Sequence, residues 1–90
     1  MAELKKIRQK IGELAGRRKN VAVEEIEWVV SQLKQHGYAV SCRQTTHGKL
    51  FGVNTQRFSV CCHNPGSRQV KTCYVDAFLD AMIELELYED

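Results

Sequence analysis

His47 and Lys49 are residue types that can do acid–base chemistry at a phosphate group. Imidazole titrates near neutral pH, so His47 can accept a proton from a ribose 2′-hydroxyl or donate one to a leaving oxygen. Side chains two positions apart in a strand share a face, so the Lys49 ammonium can stabilise charge developing on the same phosphate. The spacing permits a ribonuclease reaction with His47 as the catalytic residue. A histidine at the end of a strand is, however, a surface or capping residue in most proteins.

The chain is strongly polarised in charge, although its net charge is only +2. No acidic residue lies between Glu27 and Asp76, and beyond Lys71 no base occurs. A basic stretch binds polyanions because each cation placed on a phosphate releases condensed counterions. The sequence therefore predicts nucleic acid as the first partner to consider. The candidate phosphate contacts are Lys49, Arg43, Arg57, Arg68, Lys71 and His63.

Several residues have both a binding and a structural interpretation. His63 stands beside a Pro-Gly turn, where it can contact a phosphate or hydrogen-bond the turn, and the structural role is favoured. The segment 68–72 leads into the last helix and can form an anion site with the backbone N–H groups there, or a solvated loop. Trp28 and Tyr74 lie in helical segments, where packing is favoured over base stacking.

The four cysteines indicate neither disulfides nor a metal site. The amino-terminal residues lack a secretory signal pattern, so reduced thiols packed as small hydrophobes are expected. A zinc site from Cys61, Cys62, His63 and Cys73 is conceivable, but no C-x₂-C pair with a partner pair occurs. We therefore predict that the protein uses no cofactor.

The length of 90 residues fits one small domain with a single modest core. No apolar run approaches the roughly 20 residues that a membrane span requires. We expect a cytoplasmic protein that does not associate with membranes.

The periodicity of apolar residues predicts three helices and three strands. A three- to four-residue period indicates helices over about 3–15, 23–35 and from 72 onward, with Gly37 as a C-terminal cap and Thr72 as an N-cap. A two-residue alternation indicates strands over about 38–43, 50–53 and 57–62, with a turn at 54–56. The basic residues 17–20 connect the first two helices.

This order, α-α-β-β-β-α, predicts an α+β fold. Consecutive antiparallel strands flanked by helices most simply give one three-stranded sheet with the helices packed on one face. Such an arrangement resembles a double-stranded RNA-binding domain, although several unrelated small folds share the order.

From about residue 21 to 89 the chain resembles the HicA family of bacterial and archaeal toxins, mRNA interferases with a double-stranded RNA-binding-like fold. Residues 45–51, Thr-Thr-His-Gly-Lys-Leu-Phe, occupy the place of the family's Gly-Ser-His-His string. Residues 60–63 match the end of the third strand, and residues 66–75 match the following loop and helix start. The ending 84–89 is similar to the family's Leu-Gly-Leu-Tyr, with Glu86 where glycine is usual.

The resemblance implies that His47 is the functional histidine of a toxin in a type II toxin–antitoxin system and that a HicB-type antitoxin is the partner. It divides the single domain 1–90 into a HicA-like core, 21–90, and an extra amino-terminal helix with its connector, 1–20. Gly48 stands where a second histidine is common in the family.

Three hypotheses follow for the function. The first is a metal-independent endoribonuclease that cleaves mRNA through His47. The second is a catalytically degenerate RNA- or protein-binding module on the same fold. The third is an interaction protein that forms homo-oligomers through the amino-terminal helix.

Overall fold

The computed structural model describes residues 3–45, 48–61 and 68–89. Its elements are α1 (Leu4–Gly16), α2 (Val23–Gln35), β1 (Val40–Gln44), β2 (Lys49–Val53), β3 (Gln56–Val60) and α3 (Thr72–Glu84). The predicted α+β class and the order α-α-β-β-β-α are confirmed.

The three strands form one antiparallel sheet in the order β1-β2-β3. Asn54, with a φ of 53°, begins the two-residue turn between β2 and β3. Alternation along the strands gives the sheet two different faces. The core face includes the buried side chains Phe51, Val53, Phe58 and Val60. The opposite face, called the open face below, consists of Ser41, Arg43, Leu50, Gly52, Arg57 and Ser59.

The helices pack on the core face of the sheet. Phe78 of α3 meets Phe58 of β3 edge to face, with ring centroids 5.3 Å apart. Helix α2 packs against β1, and α1 packs against both other helices. The apolar side of α1, Ile7, Ile11 and Leu14, is fully buried in the same core. A homo-oligomer through α1, which remains a prediction, would therefore have to use its polar side.

A short backbone pairing places the start of α2 beside residues 68–70, which lead into α3. Ala22 and Gln69 form an antiparallel bridge. The Val23 N–H donates to the Arg68 carbonyl at 2.7 Å, and the Val70 N–H donates to the Val21 carbonyl at 2.8 Å. Because Val21 and Val70 are fully buried, this pairing also closes one end of the core.

Helices α2 and α3 end in the same hydrogen-bonded motif. After α2, the Tyr38 N–H donates to the Leu33 carbonyl and the Gly37 N–H to the Lys34 carbonyl, both at 3.1 Å. After α3, the Leu87 N–H donates to the Met82 carbonyl at 2.9 Å, with Glu86 in the position of Gly37. These are Schellman caps, in which one residue takes a left-handed conformation. Its φ is 95° at Gly37, as glycine permits, and 62° at Glu86, where a side chain is strained.

Some predicted details differ from the structure. Lys71, with extended backbone, is the N-cap of α3, and Thr72 is already its first helical residue. Cys42 and Cys73 are exposed, so the expectation of core packing is wrong for them. The reason is position, because Cys42 lies on an edge strand and Cys73 in the first turn of a helix. Trp28 is 38% exposed, so the core covers only part of its surface.

The three helices have 13 residues each. A membrane span needs roughly 20 apolar residues. Within the described ranges, accordingly, no helix could cross a membrane.

Candidate nucleic-acid interface

The open face brings together two of the predicted phosphate contacts, Arg43 and Arg57. Arg43 pairs with Leu50 in the strand register, and Gly52 pairs with Arg57, so both arginines flank β2 on the same face. Both side chains are exposed. Neither forms an ion pair within the described residues. Because the strands contain no acidic residue, this face carries charge of one sign only.

Gly52 and two serines surround the arginines. A Cβ atom added at Gly52 would lie 2.6 Å from the Ser41 hydroxyl oxygen, so the absence of a side chain leaves room for Ser41 over β2. Ser59 of β3 pairs with Leu50 of β2 in the strand register. Hydroxyl groups and guanidinium groups are both donors to phosphate oxygens. Sequence reasoning missed the serines, although the strand alternation that places Arg43 also places them.

Lys49 lies on the other side of the sheet from the open-face arginines. It shares the core face with Phe51, and its ammonium donates to the Glu27 carboxylate of α2 at 2.6 Å. The pair raises the pKa of Lys49, chiefly through this hydrogen bond. Lys49 is therefore already neutralised by a carboxylate that sequence reasoning did not connect to it.

Arg68 is likewise paired with a carboxylate of α2. Its guanidinium donates to Glu24, although most of the Arg68 side chain is exposed. The adjoining Gln69 amide donates to the Lys19 carbonyl. The backbone of residues 68–70 is thus held against the start of α2, while the side chains of Arg68 and Gln69 are exposed.

A third carboxylate of α2, Glu25, holds α1 in place. It accepts hydrogen bonds from the Arg17 guanidinium at 3.1 Å, the Lys10 ammonium at 3.1 Å and the Ala22 backbone N–H at 2.9 Å. The hydrogen bond from Arg17 is the largest cause that lowers the pKa of Glu25, to about 2. In the same connector Arg18 pairs with Asp76 of α3 at 3.0 Å. The basic connector is thus largely used for contacts within the chain.

The β1–β2 hairpin, the end of β3 and the start of α3 meet at one end of the sheet. The Lys71 N–H donates to the Cys61 carbonyl at 3.1 Å. On the hairpin side, a Cβ at Gly48 would lie 2.9 Å from the Cys61 sulfur. Tyr74 hydrogen-bonds the Cys61 thiol, which raises the pKa of the phenol, and packs partly against the core. The Lys71 side chain is exposed at this end and has no carboxylate partner among the described residues.

Gly48 is required by the close approach of the hairpin to β3. A Cβ atom at this position would lie 2.3 Å from the Val60 carbonyl oxygen, so any side chain would force the backbone to shift. The Thr45 N–H donates to the Gly48 carbonyl at 2.7 Å and closes the hairpin. A histidine at position 48, as in the family's string, is therefore excluded in this conformation.

Two predicted site residues, His47 and His63, lie outside the described residues. In the sequence His47 directly precedes Gly48. Two members of the conceivable zinc set, Cys62 and His63, also lie outside. Among the residues that are described, no three histidine, cysteine or acidic side chains are grouped as metal ligands would be.

Comparisons of the chain with protein-family models, curated proteins and solved structures found no match. The HicA likeness therefore rests on the strings quoted above.

Proposed function

We propose that this chain is a HicA-like toxin, a metal-independent endoribonuclease that binds and cleaves mRNA in the cytoplasm with His47 as its proton-transfer residue. The observation that carries the proposal is the open face. It presents two exposed arginines without carboxylates, and His47 lies between β1 and β2 in the sequence.

The charge of this face supports RNA binding. Arginine binds phosphate through a planar fork of N–H donors that stays charged at any physiological pH. With Arg43, Arg57 and Lys71 as contacts, three phosphates would be neutralised. The logarithm of the association constant should then fall with the logarithm of salt concentration with a slope of about −2 for single-stranded RNA. Lys49 and Arg68 would contribute only after leaving Glu27 and Glu24.

The reaction needs two proton transfers. The 2′-oxygen bonds to phosphorus while the bond to the 5′-oxygen of the next nucleotide breaks, which leaves a cyclic phosphate and a 5′-hydroxyl. One proton leaves the 2′-hydroxyl and one reaches the 5′-oxygen, and His47 serves one of these transfers. Lys71 lies at the same end of the sheet as the hairpin. In this proposal its ammonium stabilises charge on the phosphate.

A HicB-type antitoxin is the proposed protein partner. Its inhibitory surface would have to cover the open face or the hairpin end and would be acidic, because it competes with RNA for Arg43 and Arg57.

The test compares wild type, His47→Ala and His36→Ala, each expressed inducibly in bacteria without an antitoxin. His36 is a matched control because it is exposed and caps the end of α2, away from the sheet's hairpin end. Growth arrest with mRNA loss is expected for wild type and His36→Ala, and neither for His47→Ala. Purified proteins should reproduce this difference on RNA in excess EDTA. Normal cleavage by His47→Ala would exclude His47 as the catalyst.

Gly48 favours a second candidate, an RNA-binding module that no longer cleaves. Position 48 cannot hold the family's second histidine without a backbone shift, and on this candidate the loss of that histidine removes cleavage. This candidate predicts salt-sensitive RNA binding by folded wild-type protein, with no cleavage and no arrest. Cleavage by wild type that depends on His47 would rule it out.

A further inference from the structure

We propose that two copies of this chain pair through β1, antiparallel about Cys42, to form a continuous six-stranded sheet. The inference goes beyond the proposed function because it depends on the backbone groups of an edge strand and not on RNA.

The hydrogen bonds that flank β1 show which of its residues point outward. The Thr45 N–H donates to Gly48 and the Asn54 N–H to the Ala39 carbonyl, each at 2.7 Å, so residues 45 and 39 bond inward to the β2 side. In an antiparallel ladder the hydrogen-bonded pairs alternate along the strand. Residues 41 and 43 therefore also bond inward, while the N–H and C=O groups of Val40, Cys42 and Gln44 face away from β2.

Nothing in the described part of the chain covers this edge. Within the described residues, the outward N–H and C=O groups of residues 40, 42 and 44 have no backbone partner. The side chains of residues 41–44 are exposed on both faces of the sheet. The strand lacks the usual protections of a sheet edge, since it has no proline, no bulge and only one charge, Arg43.

A second copy of β1 fits this edge better in one register than in the two adjacent registers. With Cys42 opposite Cys42 of the second copy, Val40 lies opposite Gln44 and all three outward residues of each strand are used, which gives six hydrogen bonds. Shifting the two-fold axis to residue 41 or 43 leaves one outward residue of each strand unpaired. The shift to 43 also places Arg43 against Arg43, and like charges directly opposite are destabilising.

The side chains agree with the Cys42-centred register. Arg43 meets Ser41 of the second copy on the open face, so no like charges oppose each other. The two Cys42 residues form a hydrogen-bonded pair with Cα atoms about 5.5 Å apart, a separation that a disulfide can bridge. The partner that binds this edge is therefore a second copy of β1, because the residues of β1 are complementary to those of an antiparallel second copy.

The first test is sedimentation equilibrium of the reduced full-length protein from about 1 µM to about 500 µM, a range that brackets weak reversible association. The weight-average mass of wild type should rise toward twice the monomer mass. Cys42→Pro should stay monomeric, because proline removes an outward N–H that the β1–β2 ladder does not use and is tolerated on edge strands. A wild type that stays monomeric throughout, or a folded Cys42→Pro that dimerises equally, would overturn the proposal.

The second test uses diamide, which takes two electrons and two protons from a pair of thiols as a disulfide forms. Wild type and Cys73→Ser should give a covalent dimer, and Cys42→Ser should not. Cys73 is the matched control because it is also exposed but lies in α3. Because this test needs only serine variants, it decides the matter if Cys42→Pro does not fold. Undiminished dimer from Cys42→Ser would exclude the Cys42-centred register.

Discussion

The cations beside α2 and the cations on the open face carry the same charge but differ in what surrounds them. Along α2, Glu24, Glu25 and Glu27 each accept hydrogen bonds from cations that come from other parts of the chain. On the open face, Arg43 and Arg57 project from strands that contain no acidic residue. The first group connects elements of the fold, whereas the second is available to a partner. A basic stretch in sequence is therefore not one binding surface.

The largest expected effect concerns RNA affinity. Arg43→Ala combined with Arg57→Ala should weaken RNA binding about 10- to 100-fold at low salt and make the salt slope shallower by about 1.4, because two phosphate contacts are lost. Unfolding should be nearly unchanged, since both side chains are exposed. Fluorescence anisotropy with labelled RNA over a salt series measures both quantities.

The control for the double variant is Lys5→Ala combined with Lys6→Ala. It removes the same charge from the exposed side of α1, away from the sheet. If the two double variants lost affinity equally, the open face would have no special role and net charge alone would account for binding.

The second effect concerns stability and tests the opposite region. Glu25→Gln should lower the free energy of unfolding at pH 7 by about 1–2 kcal/mol, after allowance for solvent screening of a partly exposed group. The folded-state pKa of Glu25 is about 2, below its value in the unfolded chain. The stabilisation is therefore complete above the unfolded-state pKa and is lost as pH falls from about 5 toward 2.

Urea unfolding of wild type and Glu25→Gln at several pH values measures this difference. The two curves should converge as the pH decreases, and RNA affinity at pH 7 should be almost unchanged. A stability difference that persisted undiminished at pH 2.5 would show that the carboxylate charge of Glu25 is not its cause.

The strand and helix positions could be predicted because they depend on local patterns. The bounds of α2 follow from its apolar period and from Gly37, and those of the hairpins from alternation and the turn at Asn54. The assignment of Arg43 and Arg57 to one face needs one more fact, the register between strands. That register is fixed by hairpin geometry that the alternation only suggests.

The pairing of cations could not be predicted, because it depends on tertiary packing. Lys49 is 22 positions from Glu27, and Arg68 is 44 positions from Glu24. Only the packing of α2 on the core face, and the bridge at Ala22, bring these partners together. The restriction at Gly48 is equally non-local, since the limiting atom belongs to Val60. The chemical role of His47 remains a prediction.

A third, smaller effect would release a cation of the first group from its carboxylate partner. Glu27→Gln removes the carboxylate that neutralises Lys49. The released ammonium becomes available to phosphate, so RNA affinity should rise about two- to fivefold at low salt, while stability falls by less than about 1 kcal/mol. The same anisotropy series measures the gain.

Adding Lys49→Met to Glu27→Gln supplies the control, because a gain that comes from Lys49 should disappear in the double variant. If affinity rose equally without Lys49, the cause would be the loss of negative charge on α2 and not the released ammonium.

The smallest effect is expected at a site that belongs to neither group. Glu86→Gly should raise the free energy of unfolding by about 0.5 kcal/mol, because glycine relieves the left-handed strain of the α3 cap but adds freedom to the unfolded chain. Gly37→Ala at the matching cap of α2 should act in the opposite direction and by more, since it creates that strain. Urea unfolding measures both changes. Because neither cap lies on the open face, RNA affinity should stay the same while the free energy of unfolding changes in these variants. If RNA affinity changed together with stability, a loss of affinity in the Arg43 and Arg57 variants could no longer be assigned to lost phosphate contacts.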